Sequence, residues 1–461
     1  MKKGFGIRDL GFDVHGKRVT VAGAARSGIA AAELLARRGA AVTLSEVRAD
    51  APGIDALRPL GVQLELGGHR VETFTGADLV VLSPGVPANQ PAIEAARARG
   101  VPVIAEIELA SRWLRGRVIA ITGTKGKSTT TALTGRMLEA AGFKVTVGGN
   151  IGDPLSAQVA DSTPDTYHVV ETSSFQLEQI DTFHPWIAVM LNFSPDHLDR
   201  HPTVEAYAAA KARIFENQDA ADWAVVNADD PGVLEMARRG RARLRFFSPR
   251  TPLADGTVVE GGWIVDRRAD RAERLVPLAS IHLLGPHLVN DVMAAATVGA
   301  IAGAAPAALT AAVEAFHGLE HAMELVADIG GVRFVNDSKA TNVESALRSI
   351  ESFDRGLVPI IGGRFKGGDL SRLREPLRQR GKAVVAIGEA KPLVREALTG
   401  AIDVHDADTL ADAVARAHAL ARPSGVVLLA PACASFDMFR DYAERGRRFK
   451  EEVKRLEMAN G

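Results

Sequence analysis

The sequence predicts an α/β protein with three consecutive domains, of which the first and the third are Rossmann-like. Two observations lead to this prediction. Apolar runs of about four to six residues alternate with helical stretches along the chain, as expected for parallel sheets covered by helices. The 461 residues also suffice for two to four domains of ordinary size. The changes in pattern place the domains at residues 1–106, 107–317 and 318–461.

The composition is that of an ordinary globular protein. The apolar fraction is 46% and the formal net charge is −1, which gives no electrostatic footprint for nucleic acid. The single cysteine, Cys433, excludes an internal disulfide, and the first 18 residues lack an apolar signal core. We therefore expect a cytoplasmic protein. Residues 292–313 are uncharged but rich in Ala and Gly and interrupted at Gly303–Pro306, so we expect packed helices and no membrane insertion.

The first domain is predicted to be a small doubly wound sheet. Strands are expected at residues 18–23, 41–45, 79–83 and 101–104, with a helix at 28–38. The first turn reads GAARSG and differs from the dinucleotide-binding pattern G-x-G-x-x-G, because Ala25 replaces the middle glycine. A simple tight turn and a phosphate-binding turn are both compatible with this sequence.

The central domain is predicted to begin with a strand, a Gly/Lys loop and a helix. Its strands are expected at residues 118–122, 144–147, 167–171, 187–191 and 223–227. A second helix is expected at 204–216, and a β-rich stretch covers 241–274 before the Ala-rich helices. Each of the first four strands is followed by polar or glycine-rich chain, where α/β enzymes place their sites.

The loop after the first central strand reads GTKGKST, residues 123–129. It is shorter than the common phosphate-binding pattern G-x-x-x-x-G-K-[ST], because only two residues separate its glycines. Backbone N–H groups at a helix N-terminus still favour phosphate oxygens, while Lys127 offers a positive charge and Ser128 a Mg²⁺ ligand. A polar turn is the alternative. The preceding strand and following helix favour a P-loop-type, ATP-binding domain.

Candidate metal ligands follow two further central strands. Glu171 ends the run YHVVE, where a carboxylate is either a functional ligand or a solvated cap. His197 follows the next strand, with Asp196 and Asp199 beside it, and this pattern fits either a metal site or loop hydrogen bonding. Lys211 lies within the helix at 204–216, where its position alone indicates a surface lysine.

The third domain is predicted to place three polar loops at one sheet edge. Its strands are expected at residues 332–336, 357–361, 383–387 and 426–430. The loops read NDSKATN, GGRFKGGD and PACASFD. Each alone could be turn chemistry and capping. Because the carboxyl ends of parallel strands share one edge, the three together favour a ligand crevice, and the lysine of NDSKATN suits an anion.

Together these motifs resemble those of the Mur ligases, the ATP-dependent amide-forming enzymes of peptidoglycan precursor synthesis. The resemblance covers essentially the whole chain, and its motifs are GTKGKST, GGNIG, ETSSFQLE, DHLDRH, AKARIFE, NDSKATN and PACASFD. The first of these are shared by the superfamily, which also contains folylpolyglutamate synthase. NDSKATN and PACASFD are similar to the branch that adds D-glutamate.

The resemblance implies that a monomer ligates D-glutamate to UDP-N-acetylmuramoyl-L-alanine with ATP and two Mg²⁺ ions. ATP would phosphorylate the L-alanyl carboxylate, and the amine of D-glutamate would attack the resulting acyl phosphate. The implied nucleotide contacts are Gly123, Thr124, Lys125, Gly126, Lys127, Ser128, Thr129, Asn290 and Asp337. The implied metal ligands are Ser128, Glu171, His197 and Lys211, the last as a carbamate formed with CO₂. The implied catalytic residues are Lys127, His197 and Lys211.

The resemblance also implies two sets of substrate contacts. Those with the UDP-linked substrate are Arg26, Ser27, Glu46, Ser83 and Asn150. Those with D-glutamate are Lys339, Thr341, Lys366, Ser435 and Tyr442.

The chain departs from the family pattern at positions that contact the nucleotide. Where the family has H-N-x-x-N, this chain has Leu288 and Asp291 at the amide positions, and Ala322 replaces the arginine of G-L-x-H-R. Losing an arginine–phosphate pair costs on the order of 1–3 kcal/mol, so these changes concern nucleotide affinity more than chemistry. Two alternatives stay open: a same-fold ligase with a different acceptor or amino acid, and a catalytically weak nucleotide-binding or regulatory member.

Overall fold

Apolar runs rich in Val and Ile form the strands of three sheets in the residues that the computed structural model describes, which are 12–196, 200–281 and 287–460. Residues up to 281 and residues 289–314 form one unit, and residues 315–460 form most of a second. The first unit contains two sheets and the second unit contains one. The predicted α/β class with three mainly parallel sheets is confirmed. The boundaries after residues 106 and 317 stay predictions.

The first sheet has the order β3-β2-β1-β4-β5, and all its strands are parallel. Its strands are β1 (Arg18–Ala22), β2 (Ala41–Glu46), β3 (Gln63–Leu66), β4 (Leu79–Leu82) and β5 (Val103–Ala105). Its helices are α1 (Arg26–Arg37), α2 (Val71–Thr75), α3 (Pro91–Ala98) and α4 (Glu106–Ser111). Strand order reverses between β1 and β4, so their carboxyl ends flank the crevice where such sheets bind ligands.

The second sheet has the order β14-β13-β12-β11-β10-β9-β6-β8-β7. Its strands are β6 (Arg117–Thr122), β7 (Lys144–Gly149), β8 (Thr166–Glu171), β9 (Ile187–Met190), β10 (Trp223–Asn227), β11 (Arg243–Ser248), β12 (Gly256–Glu260), β13 (Trp263–Arg268) and β14 (Arg271–Pro277). The seven neighbouring strands from β7 through β8, β6, β9, β10 and β11 to β12 pair in parallel. Strand β13 pairs antiparallel with β12 and with β14. The predicted β-rich stretch at 241–274 corresponds to β11 and this antiparallel end.

Six α-helices lie among the described residues of this part of the chain. They are α5 (Lys127–Ala140), α6 (Ser174–Leu177), α7 (Val204–Ala212), α8 (Pro231–Ala237), α9 (His287–Ala302) and α10 (Pro306–Glu314). The uncharged stretch at 292–313 is thus two helices separated near Gly303, as predicted, and Val292 to Ala296 are buried. Among the described helices, none combines the length and the apolar character needed to cross a membrane.

The third sheet has the order β15-β16-β20-β17-β18-β19, parallel except for β15. Its strands are β15 (Glu324–Ile329), β16 (Val332–Asn336), β17 (Leu357–Gly362), β18 (Val384–Ile387), β19 (Val404–Asp406) and β20 (Gly425–Leu429). Its helices are α11 (Val343–Glu351), α12 (Arg374–Arg380), α13 (Lys391–Leu398), α14 (Leu410–Ala421) and α15 (Tyr442–Asn460). Because β16, β20 and β17 are adjacent, the three polar loops that follow them meet at one edge.

Candidate functional site

The phosphate-loop motif lies between β6 and α5, and a side chain of the motif bonds carbonyls of the same loop. Gly126 has φ +80°, and a Cβ there would come within 2.2 Å of Asp291 Oδ1, so the position needs glycine for conformation and for space. Lys127 begins α5, and its Nζ donates to the carbonyls of Gly123 and Thr124, each at 3.0 Å. The loop therefore presents a helix N-terminus and an ammonium group, the combination that binds phosphate.

Residues after β9 hold this loop in place. The Asn192 side chain accepts from Lys125 N–H at 2.9 Å and donates to the Lys125 carbonyl at 3.1 Å. The Thr124 hydroxyl donates to the Ser194 carbonyl and accepts from Ser194 N–H, each at 3.1 Å. Asn192 was not among the predicted site residues. Its position directly after an apolar strand was the available signal.

Glu171 joins the phosphate loop to the GGNIG loop. One carboxylate oxygen accepts from Ser128 Oγ at 2.6 Å, and the other accepts from Asn150 Nδ2 at 2.7 Å. The residue is buried at the end of β8, so it is not a solvated strand cap. The predicted residues Ser128 and Asn150 thus both donate to the carboxylate of Glu171. They come together because β6, β8 and β7 are neighbours in the sheet.

Lys211 is 1% exposed, so the surface position that its helix pattern indicated is wrong. Helix α7 turns this side chain inward, where Nζ donates to the Gly123 carbonyl at 2.7 Å and lies 4.9 Å from the centre of the Tyr207 ring. Burial, together with the charge of Lys127, lowers the Lys211 pKa to about 7. Two lysine amines therefore approach the same loop carbonyl, and one of them is partly neutral near pH 7.

The predicted residues His197 and Asp199 lie outside the described residues. Asp196 is described, and its charge, with that of Glu171, opposes part of the lowering of the Lys211 pKa.

Helix α9 places Asp291 at the first unit's phosphate loop, and Asn290 precedes it in the helix. Asp291 is buried against Gly126, and burial raises its pKa well above the ordinary range of a carboxyl group. Its Oδ2 has no hydrogen-bond partner among the described residues, and the same holds for Asn290 Oδ1. An uncharged carboxylic acid beside the loop is compatible with bound phosphate, whereas an ionised one would repel it.

The predicted residues of the first sheet gather where β1, β2 and β4 end. Glu46 accepts from Ala24 N–H at 2.7 Å and pairs with Arg48, and the Arg48 hydrogen bond leads the contacts that lower its pKa to about 2. Ser83 is buried, and its hydroxyl has no partner among the described residues. Arg26 and Ser27 begin α1. Glu46 therefore orders the GAARSG turn, while the Ser83 hydroxyl is left without a partner among the described residues.

The glycines of the GAARSG turn have a packing role. A Cβ at Gly28 would lie 1.8 Å from the Gly23 carbonyl oxygen, so α1 could not approach β1 with any other residue. This close approach accounts for the glycine at 28 whether or not the turn contacts phosphate.

In the second unit, the three loops after β16, β17 and β20 are joined by backbone hydrogen bonds. Ala432 N–H donates to the Ala340 carbonyl at 2.9 Å, and Arg364 and Ala434 exchange two bonds of 2.9 and 3.0 Å. These loops carry the predicted amino-acid contacts. Lys339, Lys366 and Tyr442 are exposed, Thr341 is half-buried and Ser435 is buried.

Asp337 was predicted to contact the nucleotide, and its carboxylate is engaged within the second unit. It accepts from Met323 N–H at 3.2 Å and from the Ser349 hydroxyl. Burial raises its pKa. These contacts hold the start of the NDSKATN loop against α11 and the turn before β15.

Three family models match the chain in order. They are the N-terminal domain of MurD-like Mur ligases at residues 17–105, the Mur ligase middle domain at 121–299 and the glutamate ligase domain of Mur ligases at 321–433. The matched segments contain the three sheets described above except for the first four residues of β6.

Curated relatives match nearly the whole chain. The UDP-N-acetylmuramoylalanine–D-glutamate ligase of Koribacter versatilis is 46% identical over 96% of this chain and 98% of the relative. That of Geotalea uraniireducens is 47% identical over 96% and 99%. Among solved structures, UDP-N-acetylmuramate-alanine ligase from Thermotoga maritima has a TM-score of 0.56 at 19% identity, covering 95% of this chain and 100% of that one, which shows the fold alone. The family predicted from the motifs is confirmed, and the chain belongs to the Mur ligase family.

Proposed function

We propose that this protein is an ATP-dependent ligase that joins D-glutamate to UDP-N-acetylmuramoyl-L-alanine in peptidoglycan precursor synthesis, a step of cell-wall biogenesis. Relatives that are 45–47% identical over 96% of the chain carry the name of this ligase. One structural observation carries the proposal: Glu171 bonds both Ser128 of the phosphate loop and Asn150 of the GGNIG loop. This contact brings a phosphate-binding loop and a second candidate binding loop to the same carboxylate.

The proposed reaction consists of two substitutions. A carboxylate oxygen of the L-alanyl group attacks the γ-phosphorus of ATP, the bond to the β–γ bridging oxygen breaks, and ADP leaves. The amine of D-glutamate then attacks the acyl-phosphate carbonyl and loses a proton, and the carbon–oxygen bond to phosphate breaks. Negative charge gathers at the γ-phosphate, so the backbone N–H groups of the loop and the Lys127 ammonium contribute mainly electrostatic stabilisation.

The residues around Glu171 fit Mg²⁺. Hydroxyl and carboxylate oxygens are the ligands that this ion prefers, and Ser128 Oγ already lies 2.6 Å from a Glu171 oxygen. We assign Ser128 and Glu171 to one ion, and His197 with Lys211 to a second. Bound Mg²⁺ would neutralise the charge of the phosphate oxygens.

Lys211 fits the role of a carbamate. A neutral amine adds CO₂ by forming a nitrogen–carbon bond and releasing a proton, and the lowered pKa of about 7 supplies that neutral amine near neutral pH. The product carries a carboxylate beside Lys127, whose positive charge contributes to lowering the Lys211 pKa. The modification would thus replace repulsion between two cations by attraction.

The remaining predicted residues divide between the two substrates. Arg26, Ser27 and Ser83 would bind the UDP end, while Glu46 orders the turn that presents them. The five residues proposed for D-glutamate are Lys339, Thr341, Lys366, Ser435 and Tyr442. Four of them lie on loops that share a sheet edge, and Tyr442 begins α15. The two exposed lysines suit the two carboxylates of this amino acid.

A product assay tests this function directly. Purified protein with ATP, Mg²⁺, UDP-N-acetylmuramoyl-L-alanine and either D- or L-glutamate should form one amide, detected by mass, with D-glutamate only. Lys127→Ala should abolish it. Release of ADP without amide, or an amide formed only with another amino acid, would overturn the proposal and favour the weak or shifted ligase indicated by Leu288, Asp291 and Ala322.

We further propose that the protein acts as a monomer in the cytoplasm. The single cysteine, Cys433, is buried and reduced, which suits that compartment. Light scattering after size-exclusion chromatography should give the mass of one chain, and a dimer mass would contradict the first part.

A further inference from the structure

Arg445 is a buried arginine in α15 whose guanidinium is held by neutral groups. The residue is 2% exposed. Its Nε donates to Ser338 Oγ at 3.0 Å, its Nη2 to the Ser338 carbonyl at 2.9 Å, and its Nη1 to the Cys433 carbonyl at 3.2 Å. All three nitrogens are thus engaged, and the plane of the guanidinium is fixed.

These contacts orient the guanidinium without neutralising it. Among the described residues, Arg445 forms no ion pair with a carboxylate. Two titratable acids act on its charge, the Cys433 thiol and Asp437, and the Asp437 carboxylate accepts from Glu389 N–H at 3.0 Å. Burial lowers the Arg445 pKa to about 10, which leaves the side chain cationic at neutral pH. A buried charge without a close counter-charge destabilises a fold, so its presence points to a function.

The position of Arg445 relates that charge to the loops of the amino-acid site. Ser338 lies in the loop after β16 that carries Lys339 and Thr341, and Cys433 lies in the loop after β20 that carries Ser435. The third loop, after β17, lies beside the guanidinium, because a Cβ placed on Gly363 would be 3.3 Å from Arg445 Nη1.

The same group also connects to the start of its own helix. Ser338 Oγ, which accepts from Arg445, donates to the Tyr442 carbonyl at 2.7 Å. Arg445 therefore bonds the loops after β16 and β20, lies beside the loop after β17, and is joined to Tyr442 through Ser338.

We propose that Arg445 is a positioning residue that sets the spacing of these three loops and supplies a fixed positive charge favouring a dicarboxylate amino acid. This inference rests on the proposed function. The dicarboxylate supplies the counter-charge that the fold leaves out, and the three loops supply the direct contacts. Arg445 itself acts through Ser338, Cys433 and Gly363.

The test separates amino-acid recognition from general damage. Arg445→Gln removes the charge, Arg445→Lys keeps it but loses the fork of three bonds, and Ser338→Ala removes one acceptor. Arg447→Gln is the matched control, because Arg447 is an exposed arginine two positions along the same helix. For each protein, kcat and the KM for D-glutamate, ATP and UDP-N-acetylmuramoyl-L-alanine are measured, together with the thermal midpoint.

Arg445→Gln should raise the KM for D-glutamate at least about tenfold, and Arg445→Lys and Ser338→Ala about three- to tenfold, with the other two KM values within about twofold. The dicarboxylate glutarate should compete with D-glutamate more strongly than the monocarboxylate butyrate does. This difference in inhibition should disappear in Arg445→Gln only. Equal changes in all three KM values, or an unchanged KM for D-glutamate, would overturn the inference. If Arg445→Gln does not fold, Arg445→Lys and Ser338→Ala decide it. Wild-type protein that forms no amide with D-glutamate would instead refute the proposed function.

Discussion

At the scale of single residues, the fold removes several ionisable side chains from water, and their pKa values change accordingly. Glu106 begins α4, accepts from Ser156 N–H at 2.6 Å and leaves its other oxygen without a partner among the described residues. Lys211 sits below the phosphate loop. Burial raises the pKa of the first to about 7 and lowers that of the second to about 7. Each shift has a measurable consequence.

For Glu106 the consequence is a loss of stability as the pH rises from about 4.5 to about 7. Its folded-state pKa lies above its ordinary value, so its favourable contribution is complete below about pH 4.5 and is lost as the pH rises through about 7. The shift corresponds to about 3 kcal/mol. Glu106→Gln keeps the acceptor for Ser156 N–H and should flatten the decline in unfolding free energy between about pH 4.5 and 7, measured by urea titration. The exposed control Glu72→Gln should leave the decline unchanged, and equal slopes in all three proteins would contradict the burial argument.

For Lys211 the consequence is a dependence of activity on a carboxylate at this position. Lys211→Ala should lose at least about a hundredfold in amide formation, because it removes a proposed metal ligand. Added formate or acetate should restore part of the rate by occupying the vacated space. Lys454→Ala, an exposed lysine on α15, serves as control. Inactivity without rescue would argue against the carbamate and leave the ligase proposal standing.

At the scale of elements, the site depends on close approach between the phosphate loop, α5 and α9. Gly126 and Gly142 stand before and after α5 with φ +80° and +84°, but only Gly126 has a neighbour within 4 Å of a Cβ position, Asp291 Oδ1 at 2.2 Å. The two glycines therefore share the conformational requirement and differ in the space available.

This difference predicts separate outcomes for two alanine substitutions. Both should cost roughly 1 kcal/mol from the left-handed backbone. Gly126→Ala should in addition displace α9 or the loop and weaken ADP binding at least about tenfold, measured by titration calorimetry, while Gly142→Ala should leave ADP affinity within about twofold. If both bind ADP like the wild type, the contact between Gly126 and Asp291 does not set the shape of the loop.

At the scale of the whole molecule, the described chain separates into two units with their own hydrophobic cores. The phosphate loop belongs to the first, and the three loops around Arg445 belong to the second. A nucleotide should therefore stabilise the first unit, whereas a core mutation in the second unit should destabilise only that unit.

Calorimetric unfolding should show two transitions. Leu428→Ala, at a fully buried position of β20, should lower the free energy of unfolding of the second unit by about 2–5 kcal/mol. Leu393→Ala, at a position that is 44% exposed, should leave that free energy nearly unchanged. ADP at a hundred times its Kd should raise the free energy of unfolding of the first unit, which carries the phosphate loop, by about 2.7 kcal/mol. A single transition that responds to both changes would show that the units unfold together.

The α/β class, the principal strands and the polar loops at their ends could be predicted from the sequence, because apolar runs and glycine signals are local. Short strands were missed where burial is incomplete: β3 reads QLEL, and β19 has three half-buried residues. The phosphate loop was predicted because its glycines, lysine and helix start are contiguous. The family followed from motifs that are each only a few residues long.

The burial and the contacts of individual side chains could not be predicted in this way, because they depend on the tertiary structure. Lys211 lies in a helix whose sequence marks no inward face, and its burial depends on packing against a loop more than 80 residues earlier in the chain. Asn192 and Arg445 acquire their roles in the same way, through contacts with Lys125 and with Ser338. Sequence patterns report the period of a helix or strand, whereas burial and charge environment depend on distant segments, and so the chemistry of these residues emerged only with the fold.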